Sequence, residues 1–433
     1  MAVIKPFACI RPREDAAARI AALPYDVYSR EEAKEEVMRE PLSFLKIDRA
    51  ETSFDDSVDM YDDKVYKKAR EILEDFLEKE LFIKEEKECY YLYELIMNGR
   101  SQTGLVGCAS IDDYEENRIK KHEKTRADKE VDRIRHVDTC NAQTGPIFLA
   151  YPSNEEIHSI VTDKKKDKTL YSFTSNDGVI HNVWKIEEDI LIKKIRNAFD
   201  TITSIYIADG HHRAASAVRV GKMRREEAGH YTGEEEFNYF LSVLFPHSEL
   251  MILPYNRVVK DLNGHSVEEF LSLVKEKFDI IKLESPYSPE EKGCFGMYVD
   301  GDWYKLTIHR ELIPYEDKVR ALDVSLLQDY ILSPILGIGD PKVDKRIDFI
   351  GGIRGLKELE ERVKVEGKEL STIDSLSAKA EMGHKHDMKV AFSMYPTSME
   401  ELFQVSDENQ LMPPKSTWFE PKLRSGLFIH SLE

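Results

Sequence analysis

The stretch Ile205-Tyr206-Ile207-Ala208-Asp209-Gly210-His211-His212-Arg213-Ala214-Ala215 decides the reading of this chain. Residues 204–208 form a short apolar run with β-branched content and read as a buried strand. Asp209 and Gly210 interrupt it, and residues 211–220 read as a helix that ends near Gly221. A helix that starts directly after a strand points its first, unpaired backbone N–H groups at whatever precedes it. Its dipole adds about half a positive charge at the same place. Gly210 lets a ligand approach the backbone closely. Arg213 can grip phosphate oxygens with a planar fork, and His211 and His212 can donate hydrogen bonds to the same anion. Asp209 can hold a magnesium ion through one carboxylate, with phosphates completing the shell. The plainer alternative is an Asp209 N-cap, a turn glycine and two surface histidines. Zinc is disfavoured, because adjacent helical residues point about 100° apart, whereas metal-binding pairs sit three or four residues apart.

Upstream, Ile119-Lys120-Lys121-His122-Glu123-Lys124-Thr125 is followed by Asp132-Arg133. Residues 114–137 read as a helix, or a helix with a loop. On a helix, Glu123 shares a face with Ala127 and Glu130. A carboxylate beside a histidine can act as general base toward a hydroxyl. Arg118, Lys120, Lys121, Lys124, Arg126 and Lys129 make this the most basic stretch of the chain. It can complement phosphate, or it is a solvated charged helix. The spacing is not HExxH, which excludes a zincin here. Near the other end, residues 412–427 carry Lys415, Lys422 and Arg424 among prolines, hydroxyls and aromatics. Lys415 and Lys422 either face an anionic ligand or belong to a terminal loop that packs Trp418 and Phe419.

The remaining pattern is α+β. Residues 55–80 repeat Tyr61, Val65, Ala69, Ile72 and Phe76 at helical spacing among charges. Ser29 and Glu32 fit a capping box. Strand signals fall at 89–97, 102–109, 147–151, 169–173 and 180–186, and 187–199 looks helical. The acidic stretch 224–236 reads as a link between two parts of the molecule. Beyond it, strands at 239–245, 251–253, 257–259, 278–283, 294–299, 303–308, 388–394 and 427–431 mix with helices at 266–277, 322–333, 356–364 and 398–405. There is no strict βαβ alternation and no internal repeat.

The 433 residues allow about three domains and a real hydrophobic core. Charged residues are 33% and the formal net charge is −19. So acidic a chain is a poor partner for nucleic acid or for anionic membranes. No apolar run approaches the ~18 residues that span a bilayer, and residues 1–7 lack the apolar core of a signal peptide. The five cysteines, Cys9, Cys89, Cys108, Cys140 and Cys294, show no CxxC spacing. They read as reduced thiols in a cytoplasmic protein. A small-molecule partner is expected, and a homodimer is compatible with the pattern.

Taken together, Lys5-Pro6-Phe7, Pro24-Tyr25-Asp26, His122-Glu123-Lys124-Thr125, Asp132-Arg133, Ala208–Arg213, Leu253-Pro254-Tyr255-Asn256-Arg257 and Pro414-Lys415-Ser416-Thr417 with Pro421-Lys422 resemble the family known as domain of unknown function 1015. The Asp-Gly-His-His-Arg turn is also similar to that of a wider superfamily of ParB nucleotide-binding domains, sulfiredoxins and SerK-type free-serine kinases. That resemblance covers roughly residues 100–220. It implies a ParB/sulfiredoxin-like core at 101–225, an N-terminal α+β segment at 1–100 wrapped on it, and a C-terminal α+β region at 226–433.

For function, the resemblance implies a kinase of serine metabolism: a phosphotransferase acting on free L-serine or a similar small hydroxy compound, with Mg2+ and ATP, ADP or pyrophosphate as donor. Glu123, beside His122, would deprotonate the hydroxyl. Asp209 would hold magnesium, and Gly210, His211, His212 and Arg213 would bind the transferred phosphate. Lys415 and Lys422 are expected near that phosphate, and Arg133 and Thr125 near the substrate. No Walker A or protein-kinase motif set is present. The alternatives are a nucleotide-dependent ParB-like switch, a sulfiredoxin-like repair enzyme and a non-catalytic phosphate-ligand sensor. The first is opposed by the net charge and by the lack of a basic recognition helix. The second needs a reactive thiol, and the nearest in sequence is Cys140.

Overall fold

A computed structural model describes residues 2–125, 127–363 and 387–433. The fold is α+β, in two compact units: Met1–Leu250 with Pro421–Glu433, and Met251–Glu420. The first unit is built on a mixed nine-stranded sheet. Its order is Ile119–Lys120, Ile205–Asp209, Ile147–Tyr151, Tyr239–Pro246, Arg100–Ser110, Tyr90–Met97, Ile180–Ile186 and Tyr171–Thr174. Ile4–Lys5 extends it by pairing with Arg100–Ser110. Strands from all three segments read from the sequence therefore meet in one sheet. The run Ile205–Asp209 lies parallel to Ile119–Lys120, and Tyr239–Pro246 parallel to Ile147–Tyr151. Inside the edge strand Ile119–Lys120, the strands Ile205–Asp209, Ile147–Tyr151 and Tyr239–Pro246 are buried on both faces over most of their length, which is why they read as continuous apolar runs rather than alternations. Ile147, Leu149, Ile205, Ile207 and Phe240 form the core with Ala214, Ala217 and Val218 of the following helix.

The register of Ile205–Asp209 against Ile147–Tyr151 slips at its end. Ile207 opposes Leu149, but Asp209 opposes Phe148. Such a bulge re-aims the side chain that follows it, here Asp209. The backbone then passes through Gly210, at φ 92°, and enters the helix His211–Ala228. That helix does not stop at Gly221. A Cβ there would lie 2.4 Å from the Phe237 carbonyl oxygen and 2.8 Å from Ile111 Cδ1. Gly221 is a point of close approach, not a terminator, and the helix ends at Gly229, with φ 67°.

Two other expectations are narrowed or overturned for physical reasons. Of the two forms read for the charged stretch 114–137, the helix with a loop holds and the single helix does not. The stretch breaks into the helix Ile111–Glu115, the strand Ile119–Lys120, a loop and the helix Ala127–Cys140. Buried Ile119 is recruited to the sheet edge beside Ile205, which overrides the helical pattern of its charged neighbours. His122, Glu123 and Thr125 therefore lie on a loop, and no helical face joins Glu123 to Ala127 and Glu130. The stretch 224–236 does not link two parts of the molecule. It begins inside the helix His211–Ala228 and feeds a strand of the same sheet, Tyr239–Pro246.

The amphipathic helix Asp63–Glu78 forms close to where its periodicity places it, capped by Asp62 and burying Val65, Ala69, Ile72, Leu73 and Phe76. Tyr61 precedes it and is exposed. At the end of the chain, His430–Ser431 pairs with Ala142–Gln143, and Ile429 bridges Ile10, a shorter ladder than the expected strand at 427–431. The second unit holds an antiparallel six-stranded sheet in the order Phe278–Leu283, Asp302–Ile308, Cys294–Val299, Val390–Ser393, Tyr255–Val259 and Ile347–Gly351. The last of these was not read from the sequence, because glycines crowd its end. The run at 251–253 contributes only an isolated bridge from Ile252 to Phe419. All five cysteines are buried and free. Among the described residues, no helix is long and apolar enough to cross a membrane.

Gly221→Ala should destabilise the protein by about 1–3 kcal/mol through overpacking, seen as a lower midpoint in denaturant unfolding. An unchanged midpoint would mean that the contact with Phe237 yields freely.

Candidate functional site

The site is assembled from four pieces of the first unit: the turn 209–213, the loop 121–125, the helix Ala127–Cys140 and the returning residues 421–425. Asp209 is half-buried at the head of the helix His211–Ala228. Its Oδ1 accepts the Gly210 N–H at 2.8 Å, and its Oδ2 lies 3.0 Å from Lys422 Nζ. Burial alone would raise its pKa. The Lys422 ammonium, the Arg213 guanidinium and the Gly210 amide outweigh that and hold the carboxyl well below the usual range. Asp209 is therefore an anion at neutral pH. Arg213 folds back over Gly210, so that a Cβ there would lie 3.0 Å from Arg213 Nε. Arg213 Nη1 also donates to the Pro146 carbonyl at 2.5 Å, which fixes the guanidinium beside the turn.

His122 and His211 meet edge to face, with ring centroids 4.4 Å apart and planes at 87°. Both are buried. Burial lowers the pKa of His122 to about 4, against the opposing pull of Asp209 and a hydrogen bond to the Ile207 backbone. His211 is pushed well below its ordinary value by burial and then by the neighbouring His122. Two neutral imidazoles thus lie behind the anionic Asp209. His211 Nδ1 is 3.9 Å from Glu123 Oε2, and Glu123 is partly open to solvent. Buried His211 Nε2 has no hydrogen-bond partner among the described residues. Such an atom is costly unless water or a ligand completes it.

The structure therefore brings Glu123, His122, Asp209, Gly210, His211, Arg213 and Lys422 together. His212 occupies the first turn of the same helix, half-buried, and its carbonyl accepts from Ser216. Thr125 donates its hydroxyl to Glu130. Arg133 is buried, holds Asp132 at 2.8 Å and stacks 4.0 Å from the centre of the Tyr25 ring. Lys415 belongs to the second unit, with Nζ 5.5 Å from the Tyr255 ring centre. Arg424 is held elsewhere, by Asp177 and Ser175. Among the described residues, no group of three acid, histidine or cysteine side chains forms a metal cluster.

Sequence reasoning missed a cavity of about 30 Å3 next to the turn, lined by Tyr25, Asp48, Arg133, His136, Thr144 and Arg213 among others. Arg133 and His136 reach it from one face of the helix Ala127–Cys140, at i and i+3. Asp48 ends the short helix Leu45–Asp48 and accepts from Thr144 Oγ1 at 2.8 Å. The one sequence signal was an acid directly after Phe44-Leu45-Lys46-Ile47, in which a single lysine interrupts three apolar residues.

A family model described as protein of unknown function (DUF1015) matches residues 4–325. The chain belongs to this family. No curated protein matches the DUF1015 chain. Among solved structures, it is similar to a C-terminally truncated SbnI from Staphylococcus aureus, at 9% identity and a TM-score of 0.35, over 75% of this chain and 86% of that one. It is also similar to a free serine kinase in complex with AMP, at 16% identity and a TM-score of 0.30, over 78% and 92%. A conserved hypothetical protein from Pyrococcus furiosus shows 15% identity and a TM-score of 0.30, over 78% and 94%.

The buried neutral His122 gives a pH test. Its folded pKa of about 4 lies below the unfolded value of ~6.5, so protons favour the unfolded chain between the two. Its contribution is fully present above ~6.5 and is lost as the pH falls toward 4, by up to about 3 kcal/mol. Denaturant unfolding from pH 7 to 4 should show this loss, and His122→Asn should flatten it. Equal slopes in both proteins would contradict a neutral His122.

Proposed function

We propose that this protein is a phosphotransferase that phosphorylates free L-serine or a similarly small hydroxy compound, using ATP, ADP or pyrophosphate as donor. The observation that carries the proposal is the turn itself: an ionised Asp209 at the end of a bulged strand, a left-handed Gly210, and a helix N-terminus overlaid by Arg213. This arrangement offers backbone N–H groups, a guanidinium and the Lys422 ammonium to an anion. The same turn offers one carboxylate to a cation.

Magnesium fits this donor set in a limited way. Asp209 supplies a single ionised carboxylate, the number Mg2+ commonly takes when phosphates and water fill its other positions. When bound, the ion would neutralise phosphate charge. The protein's own groups do the rest. Arg213, His212 and the amides of the first helical turn hold the transferred phosphoryl group, and Lys422 offsets the charge gathered at Asp209. Glu123 takes the hydroxyl proton as the new O–P bond forms. The P–O bond to the leaving group breaks, and that group departs with the electron pair. His122 and His211, neutral and buried, keep the floor of the site dry and polarisable without adding positive charge. Arg133 and Thr125 are assigned to the substrate side.

The protein should be incubated with Mg2+ and L-serine, with ATP, ADP or pyrophosphate in separate reactions, and O-phosphoserine sought by mass spectrometry. One donor should give product. Asp209→Ala should abolish it, and Glu123→Gln should lower kcat about 10²- to 10⁴-fold with donor affinity retained. Full turnover by Asp209→Ala would overturn the mechanism. Donor binding without any product would point instead to a nucleotide-binding switch or a phosphate-ligand sensor.

A further inference from the structure

Next to the turn lies the cavity of about 30 Å3 between the helices Ala127–Cys140 and His211–Ala228. It holds room for two or three water-sized groups. Its walls are unusual for so small a space. Asp48 contributes a carboxylate that is 4% exposed, and Arg133 a guanidinium that is 8% exposed. Arg213 lines the same cavity and lies over Gly210, so one side chain joins cavity and turn. His136 adds an imidazole whose pKa is lowered, first by burial and then by Arg133, so it brings no further charge at neutral pH. Its Nε2 is 3.1 Å from the Ile47 carbonyl. Thr144 steadies Asp48, while Asp132 and the Tyr25 ring steady Arg133. Asp48 and Arg133 are thus held in place by neighbours, of which Thr144 and Tyr25 line the cavity themselves.

Buried Asp48, buried Arg133 and half-buried Arg213 all line this one space, so a carboxylate and two guanidinia are offered to a single ligand head that carries both charges. We infer that this cavity binds the α-ammonium and α-carboxylate of a small free amino acid, the ammonium at Asp48 and the carboxylate at Arg133 and Arg213. This deepens the proposed function and rests on it, because Arg213 places the amino acid's side chain beside the phosphate turn. The head must be free at both ends: an acyl group on nitrogen removes the cation that Asp48 requires, and an ester removes the anion that the guanidinia require. A peptide-bound serine has neither. Asp48 is a positioning and specificity-determining residue here, supplied by the N-terminal part of the chain. A small cavity also limits the head to a compact amino acid.

Calorimetry on the full-length protein tests this without any need for turnover. L-Serine, L-alanine, N-acetyl-L-serine and L-serine methyl ester are titrated in turn. L-Serine and L-alanine should bind, and each blocked analogue should bind about 10- to 150-fold more weakly, the effect of a lost charge-assisted hydrogen bond. Asp48→Asn should weaken L-serine to the same degree and leave ADP affinity unchanged. Thr144→Val, which keeps both charges, should weaken it less. Blocked analogues that bind as well as L-serine, or no binding by any amino acid, would overturn the inference. Those results are separate from the fate of the phosphotransfer reading: amino-acid binding with no phosphorylated product would leave the cavity assignment standing and remove the kinase, whereas phosphorylation of N-acetyl-L-serine would do the reverse.

Discussion

The ion pair between Asp209 and Lys422 is the contact on which the rest of the site depends. Burial by itself would lead a carboxyl at this strand end to take up a proton. A neutral Asp209 would have no charge to offer a cation and no reason to order the turn. Lys422, at 3.0 Å, reverses that tendency. The lysine reaches Asp209 only because the chain, after completing its second unit, returns at Pro421 to the first. The same return sets Ser425 beside Gly145 and pairs His430–Ser431 with Ala142–Gln143, so the tail is bound at several points and not through the lysine alone. The segment that opens with Pro421-Lys422 is thereby part of the site's construction.

Around that pair the charges are kept separate. His122 and His211 could each become cations in water, yet burial and mutual contact keep them neutral. The positive charge near the turn is left to Arg213 and Lys422. A phosphate would therefore meet fixed cations and backbone dipoles that need no proton movement to be ready, the condition under which electrostatic stabilisation is most effective. Glu123 sits at the edge, partly solvated and 3.9 Å from His211, where an acid can exchange its proton with water.

Much of this was legible in the residues, for reasons that can be named. The apolar run before Asp209, the glycine after it and the helical pattern beyond are local signals, and local signals were enough to place the turn. The capping box at Ser29 is of the same kind. What failed were features decided by distant partners. Ile119 carries no strand signal of its own; it becomes a strand because Ile205 accepts it at the sheet edge. That pairing decides between the two forms read for this stretch and leaves His122–Thr125 on a loop. Gly221 looked like a stop because nothing nearby showed that the Phe237 carbonyl would pass 2.4 Å from its missing Cβ. Asp48 and Thr144 stand 96 residues apart and become one wall only in the folded chain. No periodicity or motif encodes such a meeting.

The claim at the centre of this account is that the turn 209–213 is a phosphate site. Its most direct test is a crystal structure of the protein grown with pyrophosphate or ADP. The account predicts a phosphate group within hydrogen-bond reach of the backbone N–H groups at His211 and His212, gripped by Arg213, with Asp209 still beside Lys422. A saturated complex in which the phosphate lies elsewhere and this turn stays bare would contradict it.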